Sequence, residues 1–200
     1  MSEDPDDHDD LGDDLDAALA GPPPSPEHER RVVLLRGWLA EHDLEHTESR
    51  PGLFSFSLPG ERKLQTPVRL DVGAHALGVH AFVCRNPDEN HERVYRWLLE
   101  HNLKSYGVGF AVDHHGDVYL DGRLPLAVLD DPDEIDRLLG SVLATADSSF
   151  NTILELGFAS SIRKEWSWRR LRGESTANLE AFRGWLEVED APDGDGPAGR

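Results

Sequence analysis

Three short segments of strict two-residue alternation, separated by turn residues, constrain this chain more than any other feature. Between residues 53 and 58, Phe54, Phe56 and Leu58 alternate with Ser55 and Ser57, bracketed by Pro51-Gly52 and Pro59-Gly60. Leu64, Thr66, Val68, Leu70 and Val72 then alternate with Lys63, Gln65, Pro67, Arg69 and Asp71, and Leu77, Val79, Ala81 and Val83 repeat the pattern. Alternate side chains of a strand point to opposite faces, so each segment reads as a strand with one apolar face. Strands joined by so few residues pair antiparallel. Their shared apolar face has to be covered, and helices are the available cover. His80, Phe82 and Cys84 make the other face of the third strand unusually apolar, so partial cover is expected there too.

The helices are legible from caps and from 3–4 residue spacing. Ser25-Pro26 reads as an N-cap followed by proline at the first helical position. Val32, Leu35 and Leu39, with Val33 and Trp38 alongside, predict a helix ending near residues 42–44. Asn90 is the expected N-cap of a second helix, 91–103, with Glu92 in its first turn. Val94, Trp97 and Leu98 form one stripe there, and Tyr95 and Leu99 widen it. A helix apolar over so wide an arc packs on two surfaces, and the second is expected to be a partner subunit. Asp131-Pro132-Asp133-Glu134 is the strongest cap in the chain, and the apolar spacing from Ile135 through Leu154 carries its helix to Gly157.

Between these helices, Tyr106, Val108, Phe110 and Val112 alternate with Gly107, Gly109 and Ala111, which implies close approach of a helix or backbone to the small-residue face. After a turn at 113–117, Val118, Leu120 and Leu124 complete a hairpin. The fold class is therefore α+β: an antiparallel sheet with helices largely on one face, in the order α-β-β-β-α-β-β-α.

Charge separates the ends from this body. Residues 1–20 hold nine acids and no Lys or Arg, and residues 187–200 hold five acids against one Arg. That leaves 25 acids and 19 bases, net −6, between residues 21 and 186, within a chain of net charge −19. Residues 1–24, closing on Gly21-Pro22-Pro23-Pro24, are expected to be a disordered acidic tail, 25–186 a folded domain, and 187–200 a second disordered acidic tail. The negative balance disfavours nucleic acid or an anionic membrane as partner of the body. One cysteine, Cys84, excludes an internal disulfide framework and fits a reducing cytoplasm. No apolar run approaches the ~20 residues of a membrane span, and the acidic N-terminus is unlike a signal peptide.

Catalytic signatures are weak. His42-Asp43-Leu44-Glu45-His46 matches a pattern in which two His one helical turn apart bind zinc beside a Glu base. It falls where the first helix frays and lacks a third ligand, so it reads as an exposed polar helix end. The Asp113–Asp117 turn lacks the glutamate that a calcium loop places at its twelfth position. Gly107 and Gly109 open no helix and make no dinucleotide fingerprint. Cys84 has only Arg85 nearby to activate it. No enzymatic activity, cofactor or metal is expected.

The stretch from Asp147 to Gly173 is different. Its second half sets Trp166 and Trp168 among Arg163, Lys164, Arg169, Arg170 and Arg172, a local +4 once Glu165 is counted. Two readings stand: the rings cover the domain while the arginines pair with surface acids, or the segment is the anchor of a partner. The oppositely charged 1–20 stretch is also placed to screen it, with the prolines supplying reach.

Over about residues 30–186 the chain resembles the YbjN family in its actinobacterial form. The runs HERVYRWLLEHNLKSYGVGFAVDHHGDVYLDGRLPL and IDRLLGSVLATADSSFNTILELGFASSIRKEWSWR carry the resemblance. It implies a fold similar to type III secretion chaperones, small α+β domains that are often homodimeric, and a role described as sensory transduction regulation, with no catalytic residues to transfer. The expectation is a cytoplasmic, non-enzymatic protein- or peptide-binding module, homodimeric through the helix bearing Tyr95, Trp97, Leu98 and Leu99. The alternatives are a small-molecule sensor or enzyme with a pocket at the Gly107/Gly109 strand, and a nucleic-acid regulator using the basic 163–172 segment.

Overall fold

A computed structural model describes residues 25–189. The acidic stretches expected to be disordered, 1–24 and all but the first three residues of 187–200, lie outside the described residues, as does the expected screening by residues 1–20. Helix α1 (Pro26–Glu41) leads into β1 (His46–Arg50), β2 (Leu53–Pro59), β3 (Gln65–Val72) and β4 (Ala76–Cys84). Helix α2 (His91–Asn102), β5 (Gly109–Val112) and β6 (Val118–Pro125) come next. A 3-10 helix (Leu126–Asp130) then precedes α3 (Pro132–Gly157), α4 (Ala159–Arg172), a second 3-10 helix (Ala177–Phe182) and α5 (Arg183–Glu189). The strands form one six-stranded antiparallel sheet in the order β1-β2-β3-β4-β6-β5.

The extra strand relative to the expected order is β1. Its sequence, HTESR, carries no apolar alternation, because it is an edge strand with mostly open side chains. Backbone pairing to β2 holds it, with Thr47 opposite Ser55.

Alternation fixes which face of the sheet is covered. Phe54, Phe56, Leu58, Val68, Leu70, Val72, Leu77, Val79, Ala81 and Leu120 are all buried. Helix α1 packs against β3, α3 against β3 and β4, and α2 against β5 and α3. The opposite face is polar and open, crossed by pairs such as Arg50–Asp71 (2.8 Å) and His80–Asp121 (2.9 Å). Tyr119 lies over His80 and edge-on to Phe82, which supplies the partial cover expected there. Cys84 does not share that face. A bulge between Phe82 and Cys84 brings Cys84 opposite the buried Val118 and turns it inward.

Capping agrees with the sequence at two helices of three. Ser25 accepts from the His28 N–H (3.2 Å), and Asp131 accepts from the Asp133 N–H (3.0 Å). Asn90 stands at the N-cap position of α2 but makes no capping bond. It is left-handed (φ 55°), and its Nδ2 donates to the Leu156 carbonyl instead (3.0 Å).

The β2–β3 turn reverses a sequence expectation. Alternation places Leu64 in the core and Lys63 in water. The strand starts only at Gln65, leaving Leu64 77% exposed and Lys63 8% exposed. The turn is pinned from α3: the Asp147 carboxylate accepts from the backbone N–H groups of Arg62 (2.8 Å) and Lys63 (3.0 Å). Gly60 is required, since a Cβ there would lie 2.6 Å from Asp147 Oδ1 and 2.5 Å from the Lys63 carbonyl oxygen.

Candidate functional site

Two helical surfaces and one cleft draw the unusual side chains together. The first surface is on α2. Val94 and Leu98 are buried against the core, and Trp97 is half-buried, stacked on His101 (3.5 Å between centroids) and tilted toward Phe110. Tyr95 is half-buried beside His91. Leu99 is 68% and Leu103 87% exposed. Tyr95, Leu99 and Leu103 lie one helical turn apart, so they form a second apolar stripe alongside the buried one. Of the residues predicted for a subunit contact, Leu98 is inside, Leu99 is fully available, and Tyr95 and Trp97 are partly so. Leu103 belongs with them. The spacing 95, 99, 103 continues the stripe within the expected helix 91–103, although Leu103 is not among the predicted contact residues.

The second surface is on α4. The chain breaks at Gly157–Phe158, where the N–H groups of Asp88 (2.9 Å) and Glu89 (3.1 Å) both donate to the Gly157 carbonyl. Helix α4 then begins on acceptors supplied by the same loop. Glu89 accepts from Ser160 N–H (2.6 Å) and Ser160 Oγ (2.9 Å), and Asp88 accepts from Ser161 Oγ (2.7 Å). Carboxylates at a helix start satisfy orphan donors and favour the dipole. The Ser160 bonds hold the Glu89 carboxyl below its ordinary range.

The basic-aromatic segment is split by this placement. Ile162 and Trp166 face inward, Trp166 only 4% exposed, with its Nε1–H lacking an acceptor among the described residues. Arg169 is tied to Glu165 (2.5 Å) and to the Ser175 carbonyl (2.9 Å). Arg163 lies over the Trp185 ring (5.0 Å) and Arg170 by Trp166 (5.9 Å). Lys164, Trp168, Leu171 and Arg172 form the outward stripe at helical spacing. Trp168 is 44% and Leu171 88% exposed, and the Arg172 guanidinium sits 4.7 Å from the Trp168 ring centroid. Leu171 does not stand out in the sequence because basic residues flank it on both sides.

The remaining candidates resolve locally. His42 comes just after the end of α1 and bonds the Trp38 carbonyl, while His46 stands in β1 and bonds the Leu44 carbonyl. They do not share a helical turn as zinc-protease ligands do. Asp113 accepts from the backbone of His115 and Asp117, and Asp117 from Asn86 N–H, so both carboxylates hold the turn. The expected strand from Tyr106 starts only at Gly109, with Gly107 in the bend before it, and both glycines are tightly packed: a Cβ at Gly107 would meet Leu124 and Leu138 at 3.2 Å, and one at Gly109 would meet Asn102 at 3.3 Å. Side chains of α2 and α3 thus occupy the space a ligand would need there. Among the described residues, no group of three His, Cys, Asp or Glu is arranged to hold a metal ion, and no helix is long and apolar enough to cross a membrane.

Residues 31–155 match the YbjN family, described as "Putative bacterial sensory transduction regulator". The chain belongs to that family. The match ends just before the Gly157 break, so α4 and the elements C-terminal to it lie beyond it. The chain is 56% identical over 138 residues to the uncharacterized protein ML2442 of Mycobacterium leprae, which covers 69% of this chain and 73% of that protein. It is 54% identical over 132 residues to the uncharacterized protein Rv0487 of Mycobacterium tuberculosis, covering 66% and 72%. Two solved structures are similar at 20% identity. A chain of the ExsC–ExsE complex matches with TM-score 0.49, over 63% of this chain and 95% of that one. A chain of the heterodimeric ExoU–SpcU complex from the type III secretion system of Pseudomonas aeruginosa matches with TM-score 0.43, over 60% and 96%.

Proposed function

We propose that this protein is a non-enzymatic, cytoplasmic regulator that works by binding another protein, as a homodimer, with α4 as its partner-binding helix. One observation carries the reading: Trp168 and Leu171 stand exposed and adjacent, flanked by Lys164 and Arg172, on a helix whose other stripe is already buried. Large apolar side chains grouped on a surface mark interaction sites, and Trp and Arg are the residues interfaces favour as anchors. The basic flanks select an acidic peptide segment bearing apolar side chains. The family description as a sensory transduction regulator supports the same reading.

Helix α2 is the proposed subunit contact. Its outer stripe of Tyr95, Leu99 and Leu103 is flanked by Glu92 at the N-terminal end and Lys104 just past the C-terminal end. Two copies meeting antiparallel about a two-fold axis bring each Glu92 near the other copy's Lys104, a self-complementary arrangement that a parallel contact lacks.

The test is recovery of a protein partner by the full chain from native lysate, compared with a Trp168→Glu/Leu171→Glu variant that keeps the wild-type circular dichroism. Loss of one defined protein in the variant supports the proposal. Recovery of metabolites alone, or of the same proteins by both, contradicts it.

A further inference from the structure

A cleft of about 530 Å³ opens where the β2–β3 turn, the end of β4, the last turns of α3 and the inner face of α4 meet. Its wall includes Phe82, Phe150, Leu154, Phe158 and Ile162, so its body is apolar. Lys63 lines the same wall and is only 8% exposed. Its Nζ lies 5.3 Å from the centroid of Phe82 and 5.5 Å from that of Phe150. Among the described residues, no carboxylate comes within 4.0 Å of that ammonium and no acceptor takes its hydrogen bonds.

The other charged groups on the wall are already answered. Glu165 is paired with Arg169, and Arg85 bonds Asp88 (3.2 Å) while stacking on Phe158 (5.1 Å). Cys84 supplies no counter-charge, because burial pushes its thiol up to about 12. Burial likewise lowers the Lys63 pKa from its ordinary value. The cleft therefore combines an apolar body with an ammonium on a largely buried residue that has no carboxylate partner among the described residues. Ring faces return only a small part of what desolvating such a charge costs. An anion seated against Nζ would supply the missing partner. The volume lies within the roughly 300–1,000 Å³ range of small-ligand sites, and a few polar groups in an apolar wall are their usual make-up.

We propose that this cleft binds a small amphipathic carboxylate. Its anionic head would sit on Lys63 Nζ, and its chain or ring would lie against Phe82, Phe150, Leu154 and Ile162. The site shares no residue with the exposed stripes of α2 or α4 and stands whether or not those bind partners.

The probes are octanoate, 1-octanol and octylamine, which share a chain and differ in head-group charge. Each is titrated into the full chain while backbone amide shifts are followed by NMR. Saturable shifts clustered around Lys63, Phe82 and Phe150, with octanoate at least tenfold tighter than the other two, support the proposal. So does a Lys63→Met variant that weakens octanoate at least tenfold while leaving octanol unchanged. Equal affinity for octanoate and octanol overturns it, as do shifts confined elsewhere, no saturable shift, or undiminished octanoate binding by the variant. The comparison of head groups on the wild-type chain decides the matter even if the variant fails to fold.

Discussion

Asp147 holds Lys63 by its backbone: the carboxylate Oδ1 in the middle of α3 accepts the Lys63 N–H at 3.0 Å, and that of Arg62 at 2.8 Å. This clamp stops β3 short of the turn, sends Leu64 into solvent and turns the Lys63 ammonium between Phe82 and Phe150. Removing the acceptor leaves two backbone donors to find water. Asp147→Ala is expected to cost about 1–3 kcal/mol, read from urea denaturation, and Asp147→Asn, which keeps an acceptor oxygen, less. Equal stability of Asp147→Ala and wild type would mean that the turn holds itself.

The raised pKa of Cys84 makes its reactivity and its effect on stability predictable. With the folded thiol near 12 against an ordinary 9.0, native thiolate at pH 8 is roughly a thousandfold scarcer than in an unfolded chain. Alkylation by iodoacetamide should be slower in the native protein by at least about that factor. A folded pKa above the unfolded one gives stability that is complete below pH 9 and is lost as pH rises toward 12. Lys63 acts in the opposite sense, because its folded pKa lies below 10.5 and its charged-form penalty is relieved as pH rises toward that value. Denaturation curves of wild type, Cys84→Ala and Lys63→Met between pH 8 and 11 separate the two: Cys84→Ala should lose less stability with pH than wild type, and Lys63→Met more.

Periodicity can carry some interactions and not others, and that division decides which parts of this fold the sequence discloses. Alternation in Phe54–Leu58 and Val68–Val72 reports burial on one face and so locates β2, β3 and the helical layer. Ser25 and Asp131 signal their helices because a cap is a local bond. β1 is invisible because backbone pairing and polar side-chain bonds such as Arg36–Glu48 hold it, and neither leaves an apolar alternation in His46–Arg50. Lys63 and Leu64 are inverted because a carboxylate 84 positions later dictates their turn. The basic segment is legible as unusual. Its division into a buried Trp166 and an exposed Trp168 depends on the Gly157 break, which sets the phase of α4 and rests on long-range bonds from Asp88 and Glu89.

Those bonds make α4 acid-sensitive. Glu89 is held below its ordinary 4.5 by hydrogen bonds from Ser160, so its contribution is fully present above pH 4.5 and is lost as pH falls through the depressed folded value. Amide exchange of α4 should accelerate below pH 4.5 relative to the intrinsic rate, before β2–β4 lose protection. Glu89→Gln should show faster α4 exchange already at pH 7. Simultaneous loss of protection in α4 and the sheet at every pH would contradict this ordering.

Asn102 closes the far edge of the sheet. β5 is the last strand, and Asn102 answers both free backbone groups of Phe110: its Oδ1 accepts the N–H (2.6 Å) and its Nδ2 donates to the carbonyl (3.1 Å). Asn102→Ala should cost about 1–3 kcal/mol and leave an open edge that invites strand pairing between molecules. Light scattering after size exclusion is expected to show concentration-dependent species larger than a dimer for Asn102→Ala. Wild type should give the dimer alone, and Leu99→Glu/Leu103→Glu the monomer.

The proposed partner-binding face of α4 is tested most directly by a photo-crosslinking residue placed at Leu171. In lysate of the source organism, with the exposed Glu41 as a control position, one defined protein adduct is expected at 171. That adduct should be absent at 41 and abolished by Trp168→Glu. The same adducts at both positions, or none at 171, would contradict it.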